Sequence, residues 1–176
     1  LLRMDPAHPG ALMGLGLLAH HRGDFVRASL LLEEARRAAP RNPAILNNLA
    51  LAWSSQGREG DAQALWRRVL TIDPRFADAH VNLANADVRA GRTDSALRHF
   101  EAALAADPHS FSANANLGGL LLARRRYTQA KRLLEHAQAI MPGNADVKVN
   151  LGRLFAECGF ARAARTAFDD AARLHP

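Results

Sequence analysis

The segment that decides the fold is residues 77–110, with the sequence ADAHVNLANADVRAGRTDSALRHFEAALAADPHS. Its apolar residues recur at spacings of three and four on both sides of Gly91, which predicts two amphipathic helices joined by a tight turn. The pattern continues along the whole 176-residue chain, because six of its eight prolines lie 34 residues apart. A fixed period of this length indicates an array of repeats rather than one globular domain. The periodic prolines are Pro6, Pro40, Pro74, Pro108, Pro142 and Pro176.

Aligned at this interval, the chain shows columns of small residues and columns of large apolar residues. Small side chains let two helices approach closely, and large ones fill the space beside them. Glycine separates the two halves of four repeats, and Arg125 takes its place in the remaining one. No segment alternates apolar and polar residues as a half-buried strand does. The leucine column is Leu15, Leu49, Leu83, Leu117 and Leu151, followed at once by Gly16, Ala50, Ala84, Gly118 and Gly152, and later by the large column Leu32, Trp66, Phe100, Leu134 and Phe168.

These columns resemble the tetratricopeptide repeat, a 34-residue helix-turn-helix unit. The resemblance implies an all-α, right-handed solenoid of five repeats and ten helices, in which the first helix of each pair lines a concave groove. The repeats fall at residues 9–42, 43–76, 77–110, 111–144 and 145–176, and residues 1–8 form the tail of a preceding repeat. Because the chain opens and closes on such tails, without an initiator Met, we interpret it as a fragment of a longer array.

Two repeats depart from the family pattern at a position that normally holds a large apolar residue. Asp87 and Ala19 stand where the other repeats have Trp53, Leu121 and Phe155. We therefore expect looser pairing of the helices in these two repeats.

The composition excludes several classes of protein. Hydrophobic residues make up 48% of the chain and charged residues 23%, which is typical of a folded protein and not of a disordered one. No apolar run reaches the roughly 18 residues that a membrane span needs. The net charge of +6 comes from arginines spread over every repeat, including the cluster Arg124–Arg126, so we interpret them as solvated and do not expect nucleic acid as a partner. Nothing in the sequence assigns a compartment.

The motifs that carry chemistry are also missing. Residues Gly14–Ala19 match a loose G-x-G-x-x-A, but they lie within a predicted helix rather than after a strand. The eight histidines do not form a metal-binding motif, and the single cysteine, Cys158, is expected to be a small buried residue. The sequence therefore predicts no catalytic residue, no cofactor, no metal ion and no small-molecule substrate.

One polar column remains unexplained by helix propensity. Asparagine is a poor helix former, yet it recurs mid-helix immediately before the column leucine. A side-chain amide both donates and accepts, so a row of amides can pair with the backbone of an extended peptide. The column resembles the asparagine ladder of the O-linked N-acetylglucosamine transferase superhelix. The predicted peptide-binding residues are Asn48, Asn82, Asn85, Asn116 and Asn150, with Asn47 and Asn114 nearby.

Two alternatives stay open for this column. The amides could bond to neighbouring helices and stabilise stacking, or they could be copied by duplication without a function. The clamp with which some family members hold chaperone C termini is absent, because the places for its cations hold Asp78, Ser112 and Asp146.

The sequence thus predicts a non-catalytic scaffold that binds an extended protein segment in its concave groove. One alternative is the substrate-recruitment arm of a larger enzyme, such as a peptide glycosyltransferase. Another is an assembly factor for bacterial envelope or polysaccharide export. Because Phe168, Ala171 and Leu174 lack a capping helix, we also expect end-to-end self-association. The side chains expected to give the groove its specificity are Met13, Leu17, Leu51, Val81, Val88 and Arg153.

Overall fold

The computed structural model describes residues 8–174, and every regular element in this range is an α-helix. The all-α prediction is therefore confirmed, and the first helix of each pair has 13 residues and the second 14. The helices of the described range are α1 Pro9–His21, α2 Phe25–Ala38, α3 Pro43–Ser55, α4 Glu59–Ile72, α5 Ala77–Arg89, α6 Thr93–Ala106, α7 Phe111–Ala123, α8 Tyr127–Ile140, α9 Ala145–Glu157 and α10 Ala161–Leu174.

The helices form two compact units that divide between Gly91 and Arg92. In the first unit, α1 pairs with α2 and α3 with α4, and α2 packs against α3. In the second unit, α7 pairs with α8 and α9 with α10, and α8 packs against α9. The division falls within the predicted repeat 77–110, so α5 and α6 belong to different units. The repeat boundaries and the handedness of the array stay predictions.

In three of the helix pairs, the close approach depends on a glycine of the first helix that meets a large side chain of the second. A Cβ added to Gly118 of α7 would lie 2.8 Å from Cγ of Leu134 on α8. A Cβ on Gly152 of α9 would lie 2.7 Å from the ring of Phe168 on α10. Protein interiors do not tolerate such approaches, so the missing side chain sets how near the two helices come. The residues of the small column therefore pack directly against the residues of the large column.

The turns within the helix pairs use the left-handed backbone region. Gly23, Gly57, Gly91 and Gly159 have φ angles between 72° and 81°. Arg125 occupies the same turn between α7 and α8 with φ 57°, and its N–H donates to the carbonyl of Leu122 at 2.9 Å. A residue with a Cβ is strained there, because its Cβ crowds the following carbonyl oxygen. This turn is the one place in the described range where a non-glycine residue has positive φ.

Several expectations about single side chains can be compared with the structure. Cys158 is exposed, so the expectation of a buried residue is wrong: it caps the end of α9 and faces solvent at the turn. Phe168 and Leu174 are exposed as expected, but Ala171 is buried, because it lies on the inner side of α10. Asp87 and Ala19 are both buried, and the looser pairing expected around them stays a prediction.

Replacing Arg125 by Gly should raise the free energy of unfolding by about 1 kcal/mol relative to Arg125→Ala. Both variants lose the guanidinium group, but only glycine adopts the positive φ without steric crowding. Urea unfolding followed by circular dichroism measures the difference. Ala90→Gly is the matched control, because Ala90 ends α5 at φ −87° and glycine gains nothing there. Equal stability of the two Arg125 variants would contradict the strain argument.

Candidate functional site

The five predicted site residues all lie on the first helices of their pairs. Asn48 is on α3, and Asn82 and Asn85 are on α5, within the first unit. Asn116 on α7 and Asn150 on α9 belong to the second unit. Four of the five precede a leucine that is buried, and successive helical residues are about 100° apart around the axis. Their amides are therefore turned away from the core: Asn116 is exposed and the other four are half-buried.

In the first unit, one member of the column bonds to a neighbouring helix. Nδ2 of Asn82 donates to Oδ1 of Asn47 at 2.9 Å, which links α5 to α3. Asn47 is only 5% exposed, so its carbonyl oxygen depends on this donor. The alternative that these amides stabilise helix stacking therefore applies to the Nδ2 group of Asn82. Asn47 is too buried to contact a ligand.

In the second unit, Asn150 and Asn114 have different surroundings. The amide of Asn150 lies over Gly119 of α7, with Nδ2 3.4 Å from the place a Cβ would take. Asn114 is 1% exposed, and its Nδ2 donates to the carbonyl oxygens of Pro108 at 3.0 Å and Ser110 at 2.9 Å. Asn114 therefore holds the segment that enters α7. The sequence interpretation that placed it beside the binding residues is wrong in this respect.

A polar network on the first unit was not predicted from the sequence. Ser54 Oγ donates to Glu59 Oε2 at 2.9 Å, and Nη2 of Arg89 lies 3.0 Å from Glu59 Oε1. Burial alone would raise the pKa of Glu59, but the hydrogen bonds from Ser54 and Arg89 lower it below its usual value. The network ties the last turns of α3 and α5 to the start of α4. It therefore orients the helices that carry Asn48 and Asn82.

Apolar side chains accompany the asparagines of the first unit. Among the residues expected to give specificity, Met13, Leu17 and Leu51 are half-buried, and Val88 is exposed. Val81 is only 6% exposed, so it has little surface to offer a ligand. An apolar surface next to exposed amides can contact side chains of a partner while the amides contact its backbone.

A shallow cleft of about 190 Å³ lies between the end of α7, the start of α8 and α9 in the second unit. Arg125, Tyr127, Arg153 and Glu157 line it together with the end of α7. The Tyr127 hydroxyl donates to Glu157 Oε2 at 3.1 Å, and partial desolvation together with this bond raises the pKa of Tyr127. The cleft gives this end of the face a polar, mixed-charge character.

The described residues offer neither a metal centre nor a membrane-spanning helix. Within residues 8–174, no group of three or more His, Cys, Asp or Glu side chains is placed to hold a metal ion. The His109 and His136 rings approach to 3.3 Å between Nδ1 and Nε2 without a third ligand. None of the helices in this range combines the length and the apolar character needed to cross a bilayer.

Comparison with protein families identifies the repeat. One tetratricopeptide repeat model matches residues 54–108, 87–139 and 121–176, and a second matches residues 1–43 and 23–77. The chain belongs to the tetratricopeptide repeat family. Repeats of this family commonly form scaffolds for protein–protein interaction and are typically not catalytic. The fold class is accordingly an all-α helical-repeat solenoid.

Several solved structures have the same fold as this tetratricopeptide repeat chain, although their sequence identity to it is low. PilF of Pseudomonas aeruginosa is 22% identical, with a TM-score of 0.86 over 98% of this chain and 78% of its own. TTC0263 of Thermus thermophilus is 20% identical, with a TM-score of 0.78 over 96% and 92%. YrrB, described as a repeat protein with an unusual peptide-binding site, is 15% identical, with a TM-score of 0.67 over 99% and 90%. No curated protein matches the chain. These likenesses show the fold alone.

The two kinds of asparagine should respond differently to alanine substitution. Asn114→Ala should lower the free energy of unfolding by about 1–3 kcal/mol, because the carbonyls of Pro108 and Ser110 lose a buried donor. Asn116→Ala, at an exposed position two residues away, should change it by no more than about 0.5 kcal/mol. Urea unfolding of both variants tests this. A larger loss for Asn116→Ala than for Asn114→Ala would contradict the assignment of roles.

Proposed function

We propose that this chain is a non-catalytic interaction module that binds an extended polypeptide segment along the first helices of its repeats. The proposal rests on a contrast in side-chain exposure between two sets of asparagines. Asn47 and Asn114 are buried, and their amides form hydrogen bonds within the protein. The five predicted site residues, Asn48, Asn82, Asn85, Asn116 and Asn150, keep part or all of the side chain accessible.

The amides suit a peptide backbone better than any particular side chain. Each residue of an extended peptide offers one N–H and one C=O, and each asparagine amide can pair with either. A single such bond contributes about 0.5–1.5 kcal/mol, so useful affinity needs several of them in a row. Met13, Leu17 and Leu51 in the first unit, and Arg153 in the second, would add preference for side chains.

This mode of binding is compatible with more than one biological setting. A recruitment arm of a larger enzyme and an assembly factor for the bacterial envelope would both use such a face. The unusual peptide-binding site described for YrrB supports the capacity of the fold for this role. The choice between these settings stays a prediction.

The variant that tests the proposal is the triple substitution Asn48→Ala, Asn116→Ala and Asn150→Ala. It leaves the Asn82–Asn47 bond in place. Peptides selected from an array by the native chain should bind the triple variant about 10- to 1,000-fold more weakly, because three backbone hydrogen bonds are lost. Gln129→Ala, which removes an exposed amide from α8, is the matched control and should bind as the native chain does.

Backbone N-methylation of a selected peptide provides the complementary test. It removes peptide N–H donors without changing any side chain, so it should weaken binding to the native chain and have less effect on the triple variant. If a folded triple variant binds unmodified peptides with unchanged affinity, the asparagine column is structural and the proposal is wrong.

A second proposal concerns self-association through two apolar surfaces. Leu15 and Leu18 are 37% and 47% exposed in the first unit, while Leu49 in the same column as Leu15 is fully buried. Phe168 is 39% exposed in the second unit, beside Ala161, while Leu134 in its column is fully buried. Within a repeat array, neighbouring repeats cover surfaces of this kind. The Leu15–Leu18 surface of one copy can therefore pack on the Phe168 surface of a second copy.

Light scattering at high concentration should show species larger than the monomer. Such a contact is heterologous, so Leu18→Glu and Ala161→Glu should each stop growth when studied alone. Mixed together, they should form dimers, because each variant keeps one intact surface. A strict monomer at every concentration would refute self-association and would leave the peptide-binding proposal untouched.

A further inference from the structure

A separate cavity of about 310 Å³ lies between α8, α9 and α10 of the second unit. Its apolar lining includes Leu151 and Phe155 from α9, and Ala163 and Ala167 from α10. None of the asparagines of the candidate site lines it. Its volume is that of a small ligand site, and its lining combines an apolar wall with the polar side chains Glu135, Gln138, Lys148, Thr166 and Asp170.

The first reason for the cavity is the small side chain of Ala167. At intervals of 34 residues, its column holds Leu31, Leu65, His99 and Leu133. Leu65 and Leu133 are each only 8% exposed, so a leucine at this position is packed against its neighbours. In the last repeat the alanine leaves that space open above Phe155.

The opposite wall of the same cavity carries a lysine in a column that holds both apolar and polar residues. Lys148 on α9 stands in the column of Leu12, Leu46, His80 and Asn114. Its side chain is only 15% exposed, and it lines the cavity. A lysine with so little exposed surface costs desolvation, so its charge needs a partner.

The charges around the rim leave Lys148 as the cation in excess. Lys148 Nζ lies 3.7 Å from Asp170 Oδ2, which is longer than a strong charge-assisted hydrogen bond. Asp170 has a second partner in Arg173 at 3.3 Å, and the other rim carboxylate, Glu135, lies 3.7 Å from Lys131. The charged residues of the lining are Lys148, Glu135 and Asp170, and the two carboxylates are offset by Lys131 and Arg173, which lie outside the lining. Lys148 can turn to a ligand without leaving Asp170 unpaired.

We propose that this cavity binds a carboxylate attached to one bulky apolar group. The apolar group would fill the space against Leu151, Phe155 and Ala167, and the carboxylate would pair with Lys148. Two sources share this chemistry: a free aliphatic or aromatic monocarboxylic acid, and the C-terminal Leu or Phe of a polypeptide. The site lies outside the asparagine face, so it is independent of the proposed function, and it departs from the sequence-based expectation that no small molecule binds.

Two pairs of probes test whether binding depends on the carboxylate as well as on the apolar group. They also show which of the two sources the cavity binds. The first pair is 3-phenylpropanoate and its neutral counterpart 3-phenylpropanol. The second pair is the peptide acetyl-Gly-Gly-Phe with a free C terminus and the same peptide with a C-terminal amide. Titrations followed by NMR of the backbone amides should show shifts around Lys148 and Ala167. For the source that the cavity binds, the probe with a carboxylate should bind about 10-fold more tightly than its neutral counterpart.

Variants then test each wall of the cavity. Ala167→Leu introduces the residue that three of the other four repeats have, so it should raise Tm by about 2–4 °C and weaken binding of the active probe at least about 10-fold. Lys148→Met keeps the apolar stem and should abolish the preference for the carboxylate. Arg98→Met, which removes an exposed cation from α6, a helix that does not line the cavity, is the matched control and should keep that preference.

The outcomes are decisive in either direction. Binding confined to 3-phenylpropanoate assigns the site to free acids, and binding confined to the acetyl-Gly-Gly-Phe carboxylate assigns it to polypeptide C termini. The proposal is overturned if neither probe saturates, if a folded Ala167→Leu binds as before, or if Lys148→Met keeps the preference for the carboxylate. Ala167→Val, a smaller change in the same direction, replaces Ala167→Leu should the leucine destabilise α10.

Discussion

The contact between a small residue on one helix and a large side chain on the next is the constraint on which the rest of the structure depends. A pair such as Gly118 and Leu134 lets α7 and α8 approach until the leucine is fully buried. One helix pair cannot bury its apolar surface alone, so the same contact must recur along the chain. The strict 34-residue spacing follows from this requirement, because an inserted residue would rotate every later side chain away from its partner.

The same contact determines where polar chemistry can be displayed. Once the column leucine of a first helix faces the core, the residue before it is turned about 100° away. Asn116 and Asn150 thereby lie off the core seam, although each adjoins a buried leucine in sequence. A repeat can therefore carry a polar column without loss of packing. In this chain that freedom is used for amides, which both donate and accept.

The fold could be predicted because its determinants are local and periodic. Helix pairs, turn glycines and small columns are all visible within one repeat, and the array only multiplies them. The helices that carry the candidate asparagines could be predicted from the sequence, but the burial and hydrogen bonding of each asparagine could not. Asn47 and Asn48 are neighbours of the same type, and only the packing of α5 against α3 brings Asn82 to within 2.9 Å of Asn47. The enclosure of Asn114 likewise depends on the path of the chain from Pro108 to Ser110, which spacing does not encode.

A single departure from a repeat pattern can be a tolerated change. Two unusual residues that border the same space in the structure are less easily explained in that way. Asp87 replaces a large apolar residue at a single place, and Arg125 occupies a single strained turn; each can be explained as an isolated, tolerated change. Lys148 and Ala167 are on different helices, yet both border one cavity. Independent drift has no reason to place a mostly buried cation and a missing leucine against the same space. The changes at Lys148 and Ala167 therefore form one local feature of repeat 145–176, the cavity between α8, α9 and α10.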